Sequence, residues 1–175
     1  MFKKAILRYL IIFATVVVSI SSVYAGEVKV YVDEEIKPAI LKLIYEADER
    51  IDIQMYILTD QDVIKALGRA EGRGVEVRII LDPNQRYNLK HVDRLKREGV
   101  EIKWYPVNKP ALMHRKLAIF DKEKVFLGSA NWSRNGLTNN KEMNVLIDDS
   151  KIADEVTDIF SDDWYYSFLG HYDKY

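Results

Sequence analysis

Two side chains that could carry acid–base or phosphate chemistry lie two positions apart in the hydrophobic stretch "MHRKLAIFDKEKVFLGSAN". They are His114, one of three histidines in the chain, and Lys116. The stretch predicts a strand, and residues two apart in a strand project from the same face. A lone strand histidine is more often structural, but two potential cations on one face repel each other and are costly to bury without an anion. The pair therefore indicates a site that receives an anion.

A second group of small and polar residues, Gly128, Ser129 and Asn131, follows at the end of the next predicted strand. A glycine lets another group approach the backbone closely, and a hydroxyl and an amide can both donate hydrogen bonds to phosphate oxygens. A tight turn at residues 121–123 joins the two strands, which predicts a β-hairpin. These residues indicate that the anion is a phosphate.

The order of these residues resembles the HKD motif of the phospholipase D superfamily. Glu142, in "NNKEMNV", lies where that family carries a glutamate, and "YILTDQDVIKALGRAEGRGVEVRIILD" looks like the family's upstream strand-helix-strand. The resemblance covers most of residues 27–168 and is to the small single-motif bacterial nucleases and the Zucchini-type mitochondrial enzyme. The positions that match the motif are His114, Lys116, Asp121, Gly128, Ser129 and Asn131.

The resemblance implies a reaction scheme. Members of the superfamily use a histidine, here His114, as the nucleophile on phosphorus, and water hydrolyses the phosphohistidine. A second histidine protonates the leaving oxygen. A chain with one motif resembles the members that pair as symmetric homodimers, which bring two copies of this histidine together across a two-fold axis. Lys116, Ser129 and Asn131 would stabilise the transition-state charge, and Glu142 would orient the imidazole.

The same scheme implies no metal and no cofactor, because the lysines supply the positive charge. The chain contains no cysteine, and His91 and His171 have no partners at ligand spacing, so the residues offer no evident metal cage. His91 lies among charged residues on a predicted helix, and His171 lies in the polar C-terminal tail "HYDKY". Both histidines are expected at the surface.

The remaining candidates concern substrate contacts and the turn. Gly128, Trp132 and Arg134 are predicted to contact substrate, with Trp132 either stacking a base at the rim or packing under the loop. Lys109 and Lys141 flank the motif with Arg134, and the three could guide a polyanion. Asp121 is expected to accept hydrogen bonds from amides of its own turn, which is favoured over a catalytic role.

The elements that must position these residues follow an α/β pattern. Strands and helices alternate up to residue 105, which predicts right-handed crossovers and parallel pairing. The hairpin, one more strand and a final helix complete residues 26–175, which predicts a single domain with a mixed, mostly parallel central sheet flanked by helices and the hairpin near its centre. The predicted strands are 27–32, 51–58, 75–82, 100–105, 114–120, 124–129 and 142–148, and the predicted helices are 36–50, 59–74, 89–97 and 151–168.

The first 25 residues are typical of a secretory signal peptide. Lys3, Lys4 and Arg8 precede an apolar run, and the small-residue site at Ala25 fits cleavage. The alternative is a retained membrane anchor, although the uncharged run of residues 9–25 is shorter than the ~20 residues that span a bilayer comfortably. We therefore expect a periplasmic or secreted protein.

The charge balance excludes one class of function. The chain has 26 basic and 27 acidic side chains, and loss of residues 1–25 would leave 23 basic ones, a net charge of about −4. Such a protein does not coat nucleic acid through bulk charge, although a local basic groove is compatible with it.

The sequence predicts a metal-independent phosphodiesterase, an exported endonuclease that cleaves DNA, and by extension RNA, in a homodimeric active site. One alternative is a phospholipid hydrolase of the phospholipase D type. The other is a non-enzymatic nucleic-acid-binding protein on the same fold, which the presence of His114, Lys116 and Asn131 disfavours.

Overall fold

The computed structural model describes residues 26–169, in which seven strands form one sheet with helices on both faces. The predicted signal peptide, residues 1–25, and His171 lie outside the described residues. A 3₁₀ turn (Asp33–Glu35) and a short π-helix (Asn135–Asn139) supplement the main elements. These elements are β1 (Glu27–Val32), α1 (Ile36–Glu46), β2 (Arg50–Met55), α2 (Gln61–Glu71), β3 (Glu76–Leu81), α3 (Arg86–Arg97), β4 (Glu101–Trp104), β5 (Lys116–Phe120), β6 (Lys124–Gly128), β7 (Met143–Asp148) and α4 (Ser150–Tyr166).

The sheet has the order β1-β7-β6-β5-β2-β3-β4. β2, β3 and β4 pair in parallel through the crossover helices, whereas β5, β6 and β7 form an antiparallel meander beside β2. The predicted α/β class, the mixed sheet and the central hairpin are confirmed. Five of the seven strands run in the same direction, but only two of the six neighbouring pairs are parallel, because β5 and β7 point the other way.

β1 does not continue the parallel repeat that the alternation of elements predicts. It pairs antiparallel with β7 at the edge of the sheet, six positions from β4. Its side chains are exposed except for Tyr31, which packs against Phe126. A strand between two others in a parallel sheet would be buried on both faces, so this composition suits an edge.

The hydrophobic core lies on both faces of the sheet. The larger part packs α1, α2 and α3 against one face and includes Trp104, Trp132 and Phe126. The smaller part packs α4 against the other face through Phe160. α2 begins at Asp60, whose carboxylate accepts hydrogen bonds from the amides of residues 62 and 63, as expected for an N-cap. No helix within residues 26–169 is long and apolar enough to cross a membrane.

Candidate active site

His114 and Lys116 lie at the end of the sheet where β2 and β3 finish and β5 begins. Met55, the last residue of β2, pairs with Lys116, the first residue of β5. His114 lies in the extended segment just before β5 and not within a strand, which corrects the predicted strand boundary. The pairing still continues one step further, because the Tyr56 amide donates to the Arg115 carbonyl oxygen at 3.1 Å.

Arg115 anchors this segment to the opposite face of the sheet. Its guanidinium donates to Oε1 of Gln54 at 2.9 Å and forms an ion pair with Asp163 on α4. Because neighbouring residues in an extended chain point to opposite sides, fixing Arg115 in this way directs His114 and Lys116 towards the other side together.

The imidazole of His114 and the ammonium group of Lys116 are in direct contact. Nζ of Lys116 lies 2.9 Å from Nδ1 and 3.0 Å from Nε2 of His114, and it donates to the His114 carbonyl oxygen at 2.8 Å. Lys116 is only 8% exposed, whereas His114 is exposed. The ammonium group is therefore held under the imidazole, with the histidine facing solvent.

Both groups have lowered pKa values. Partial burial lowers the pKa of His114, the charge of Lys116 lowers it further, and the carboxylate of Asp82 opposes the shift. Burial also lowers the pKa of Lys116, against the charge of Glu142. A lowered pKa keeps the imidazole neutral at neutral pH, and a neutral imidazole is the form that can act as a nucleophile.

Asp82 positions the segment that carries His114, a role that the sequence did not reveal. It follows β3 directly and is fully buried. One carboxylate oxygen accepts a hydrogen bond from the amide of Asn84 and the other from the amide of Met113, each at 2.7 Å. The available signal was its place at the carboxyl end of a strand, where sites in α/β proteins open.

Tyr56 forms one wall of the site and was also not singled out from the sequence. The centroid of its ring is 4.5 Å from that of His114, and Nζ of Lys116 lies 5.2 Å from the tyrosine centroid. Its hydroxyl accepts a hydrogen bond from Gln85 at the start of α3. An aromatic residue directly after a buried strand was the only sequence signal for it.

Glu142 and Ser129 form a second cluster at the ends of β6 and β7. The Ser129 hydroxyl donates to one carboxylate oxygen of Glu142, and Asn140 Nδ2 donates to the other at 3.0 Å. These residues, and not His114, are the hydrogen-bond partners of the Glu142 carboxylate among the described residues. The predicted contact between Glu142 and the imidazole of the same chain is thus absent, although its charge acts on Lys116.

Gly128 has a packing role. A Cβ atom there would lie 2.3 Å from the carbonyl oxygen of Met143 and 2.6 Å from the Cα atom of Asn144. The missing side chain therefore lets β7 approach β6, which places Ser129 beside Glu142. In this structure the neighbouring strand makes the close approach that this glycine predicts.

Asn131 lies in the loop after β6. Its side-chain oxygen is buried and has no hydrogen-bond partner within residues 26–169. Gly136 packs against its backbone, since a Cβ atom at residue 136 would lie 2.3 Å from the Asn131 carbonyl oxygen. Close packing against Gly136 thus fixes the Asn131 backbone, while its side-chain oxygen makes no hydrogen bond within these residues.

Trp132 does not stack a base in this structure. Its side chain is 1% exposed and belongs to the larger part of the core. Its carbonyl oxygen accepts hydrogen bonds from the amides of Thr59 and Asp60, at 2.8 Å and 2.9 Å. The stacking prediction is therefore wrong, and the alternative, that the ring packs under the loop, describes the structure.

The flanking cations differ in their surroundings. The guanidinium group of Arg134 is exposed and has no ion-pair partner in the described part of the chain. Lys141 forms an ion pair with Asp33 at 2.8 Å, and Lys109 is exposed on the loop before the motif. Of the three flanking cations, Arg134 and Lys109 thus form no ion pair within residues 26–169.

Asp121 lies at the opposite end of β5 from His114. Its backbone φ is +52°, and its carboxylate accepts hydrogen bonds from the amides of Asp48, Glu49 and Arg50 at 3.1, 2.8 and 2.9 Å. Asp121 therefore ties the hairpin to the start of β2. The sequence predicted that amides of its own turn would be its partners, whereas the structure shows amides of a loop distant in sequence.

His91 lies on α3, away from this cluster, and its Nδ1 is 3.3 Å from the side-chain amide of Gln61. Burial, with the charges of Lys90 and Arg94, lowers the pKa of His91. Among residues 26–169, no three His, Cys, Asp or Glu side chains are grouped so that they could hold a metal ion.

The structure thus combines a mixed α/β sheet with a histidine–lysine pair and a Ser–Glu pair at adjoining strand ends. The family model described as "Cardiolipin synthase, PLD-like domain" matches residues 40–164. The chain therefore belongs to the phospholipase D superfamily, as its motif predicts.

Individual relatives agree with this assignment. A phospholipase D of Rickettsia prowazekii is 34% identical over 116 residues, which are 66% of this chain and 56% of the relative. A virion nicking-joining enzyme of Vaccinia virus is 34% identical over 96 residues, 53% of this chain and 22% of the relative. The crystal structure of Nuc, a phospholipase D family member from Salmonella typhimurium, superposes with a TM-score of 0.75 at 27% identity and covers 83% of this chain and 99% of its own. The chain spans about half the length of the Rickettsia relative.

Proposed function

We propose that this protein is a metal-independent phosphodiesterase that cleaves nucleic acid, DNA first and RNA by extension. The contact between His114 and Lys116 carries the proposal. A buried ammonium group lies within 3.0 Å of a solvent-facing imidazole, and this pair needs an anion between or above it to be stable when both groups are charged. A phosphodiester supplies that anion and is attacked by the imidazole.

The proposed reaction has two displacements. A neutral imidazole nitrogen of His114 attacks phosphorus, the bond to the leaving oxygen breaks, and the histidine of a partner subunit donates a proton to that oxygen. Water then attacks the phosphohistidine, the N–P bond breaks, and the same partner histidine takes the water's proton. Lys116 and the hydroxyl and amide of Ser129 and Asn131 stabilise the negative charge on the equatorial oxygens in both steps.

The scheme requires two histidines, and each chain contributes one. We therefore propose a homodimer in which the two copies of His114 face each other across a two-fold axis. Glu142 lies within electrostatic reach of Lys116 and binds Ser129, so in the dimer it would stabilise the protonated imidazole of either subunit. We further propose that residues 1–25 direct export, with action in the periplasm or outside the cell.

Nucleic acid as the substrate is supported by one relative named for nicking and joining and by the exposed cation Arg134 at the rim.

The test uses protein that begins at residue 26, with plasmid DNA and single-stranded RNA, each with and without EDTA. We expect DNA cleavage that survives EDTA and disappears in His114→Ala. His91→Ala is the matched control for the chemical step, because it removes a histidine whose ring contacts Gln61 and not the His114–Lys116 pair.

Three results would contradict the proposal. Cleavage that requires Mg²⁺ would refute the metal-independent scheme, and cleavage that persists in His114→Ala would refute the nucleophile. An active species that sediments as a monomer would refute the shared site. If the wild-type protein binds DNA without cleaving it, the non-enzymatic alternative replaces this proposal.

Phospholipid hydrolysis is the second candidate, because one structural feature favours it. β1 and the start of β7 expose a row of aliphatic side chains next to Glu142, namely Val28 (61% exposed), Val30 (53%), Val32 and Met143. Such a strip could contact a lipid surface, and one relative is named a phospholipase D. Release of headgroup from phosphatidylcholine or cardiolipin vesicles, lost in His114→Ala and reduced in Val30→Asp, would support it.

A further inference from the structure

We propose that a groove beside the catalytic residues is a binding subsite for one unpaired nucleotide that flanks the scissile phosphate. The groove lies between the loop after β2, the first turn of α3 and the start of the π-helix. The inference rests on the proposed nuclease function and specifies its substrate as single-stranded. Its lining residues are Ile57, Thr59, Tyr87, Ser133, Arg134 and Asn135.

The groove adjoins the reactive pair through Tyr56. The Tyr56 ring lies 4.5 Å from the His114 ring, and the next residue, Ile57, lines the groove. The opposite wall begins with Ser133, two residues after Asn131. A strand whose phosphate lies at His114 would therefore place its next nucleotide in this groove.

The size and the lining fit a nucleotide. The groove has a volume of about 350 Å³, which lies within the ~300–1,000 Å³ of small-ligand sites. Tyr87 is 72% exposed on α3, although a tyrosine ring usually buries much of its apolar surface. A ring in that position offers a face for base stacking, which every nucleobase can use.

Arg134 provides the anion-binding part of the groove. Its guanidinium group is exposed and lacks an ion-pair partner in the described region, so it is available to a phosphate oxygen. Guanidinium groups bind phosphate in a bidentate manner and more strongly than neutral donors do. Tyr87 and Arg134 on facing walls can thus hold the base and the phosphate of one nucleotide.

α3 extends this site as a basic surface. The helix carries five lysines and arginines and one aspartate over 12 residues, although the whole chain has a net charge of −1. Such a local concentration of positive charge attracts a polyanion even though the net charge of the chain is negative. The path of a strand leaving the groove is therefore along α3. Its basic residues are Arg86, Lys90, Arg94, Lys96 and Arg97.

The same lining disfavours lipid in this groove. Of the six side chains only those of Ile57 and Tyr87 are largely apolar, and four are polar or charged. An acyl chain would leave these polar groups without hydrogen-bond partners, which is unfavourable. A paired duplex is also disfavoured, because stacking on a protein side chain requires an unstacked base.

The test compares Tyr87→Ala with Tyr45→Ala. Tyr45 is similarly exposed (77%) and lies at the end of α1, near the start of β2 and therefore at the opposite end of that strand from the site. Binding of a fluorescent single-stranded 12-nucleotide DNA is measured by anisotropy, and cleavage is measured on the same DNA and on bis(p-nitrophenyl) phosphate, which carries no flanking nucleotide. We expect Tyr87→Ala to weaken oligonucleotide binding roughly 5- to 150-fold, as loss of one base stack does. Its loss of kcat/KM should be several-fold larger on DNA than on the small substrate.

Two further variants sharpen the test. Tyr87→Phe keeps the ring and should restore binding, and Arg134→Gln should reduce the salt dependence of binding by a slope of about 0.7, the value for one phosphate contact on a single strand. If Tyr87→Ala binds the oligonucleotide as Tyr45→Ala does, the subsite is refuted, whatever the enzyme cleaves. If wild type cleaves neither substrate but Tyr87→Ala weakens binding, the subsite stands and the proposed nuclease function fails.

Discussion

Replacing Asp121 separates a structural role of the third HKD residue from a catalytic one. Three backbone amides donate to its carboxylate, two of them to the same oxygen Oδ1 and the third, from Asp48, to Oδ2. Hydrogen bonds to charged groups contribute ~1.5–3 kcal/mol each, but two of these are exposed and count for less. An alanine at φ +52° also costs about 1 kcal/mol. We expect Asp121→Ala to lower the free energy of unfolding by ~2–4 kcal/mol.

Asp121→Asn should cost much less. Asparagine tolerates a positive φ, and its single carbonyl oxygen can keep the bonds from Glu49 and Arg50 while that from Asp48 is lost. The expected loss is ~1 kcal/mol. At ~2–4 °C per kcal/mol for a chain of this size, Tm should fall by about 2–4 °C for the asparagine variant and by about 5–15 °C for the alanine variant.

The assay is thermal unfolding followed by circular dichroism, with kcat measured well below Tm. Asp158→Asn, an exposed carboxylate on α4, serves as the control and should change neither quantity. The reasoning predicts near-normal kcat for the asparagine variant once folded. A tenfold or larger loss of kcat with unchanged Tm would refute it and place Asp121 in the chemistry.

Three further predictions address the site. Because the pKa of His114 is lowered and the neutral form attacks, the acid limb of the kcat/KM profile should lie below about pH 6.5, and an alkaline limb should follow from the partner histidine, which must be protonated. A pH profile with its acid limb above that value would contradict this. In Asp82→Asn the acid limb should move to still lower pH, since the Asp82 charge raises the pKa of His114. Here kcat should fall more than KM rises, because only one of the hydrogen bonds from Asn84 and Met113 can be kept. Gly128→Ala should lose ~1–3 kcal/mol of stability by overpacking against β7, measured by urea unfolding. Gly72→Ala, whose added Cβ would lie 3.5 Å from its nearest neighbour, should not show this loss.

Contacts between residues close in sequence were predicted better than contacts between distant ones. Alternation and spacing are local properties, so the contact of His114 with Lys116 and the turn at Asp121 were accessible from one stretch of chain. Which strand lies beside which is set by long-range packing, and for this reason the place of β1 at the sheet edge was missed. The burial of Trp132 was undecidable from its neighbours, because it depends on the core built by the helices on one face of the sheet.

The missed positioning residues share a physical cause. Asp82 and Tyr56 act on His114 from the ends of β3 and β2, which are 32 and 58 residues away in sequence. No periodic pattern connects such positions, and only the topology of the sheet brings them together. The predicted contact of Glu142 with the His114 imidazole is absent for a related reason. Within one chain, the folded strands bring the Glu142 carboxylate to Ser129.

The position of the Lys116 ammonium has a consequence for when the nucleophile is reactive. It lies about equally far from both imidazole nitrogens and therefore over the ring, where its positive charge makes the lone pair that must attack phosphorus less nucleophilic. A monoanionic phosphodiester pairs with that ammonium group and offsets its charge. Substrate binding would then activate the histidine as a nucleophile, and without substrate the histidine would react slowly with other electrophiles.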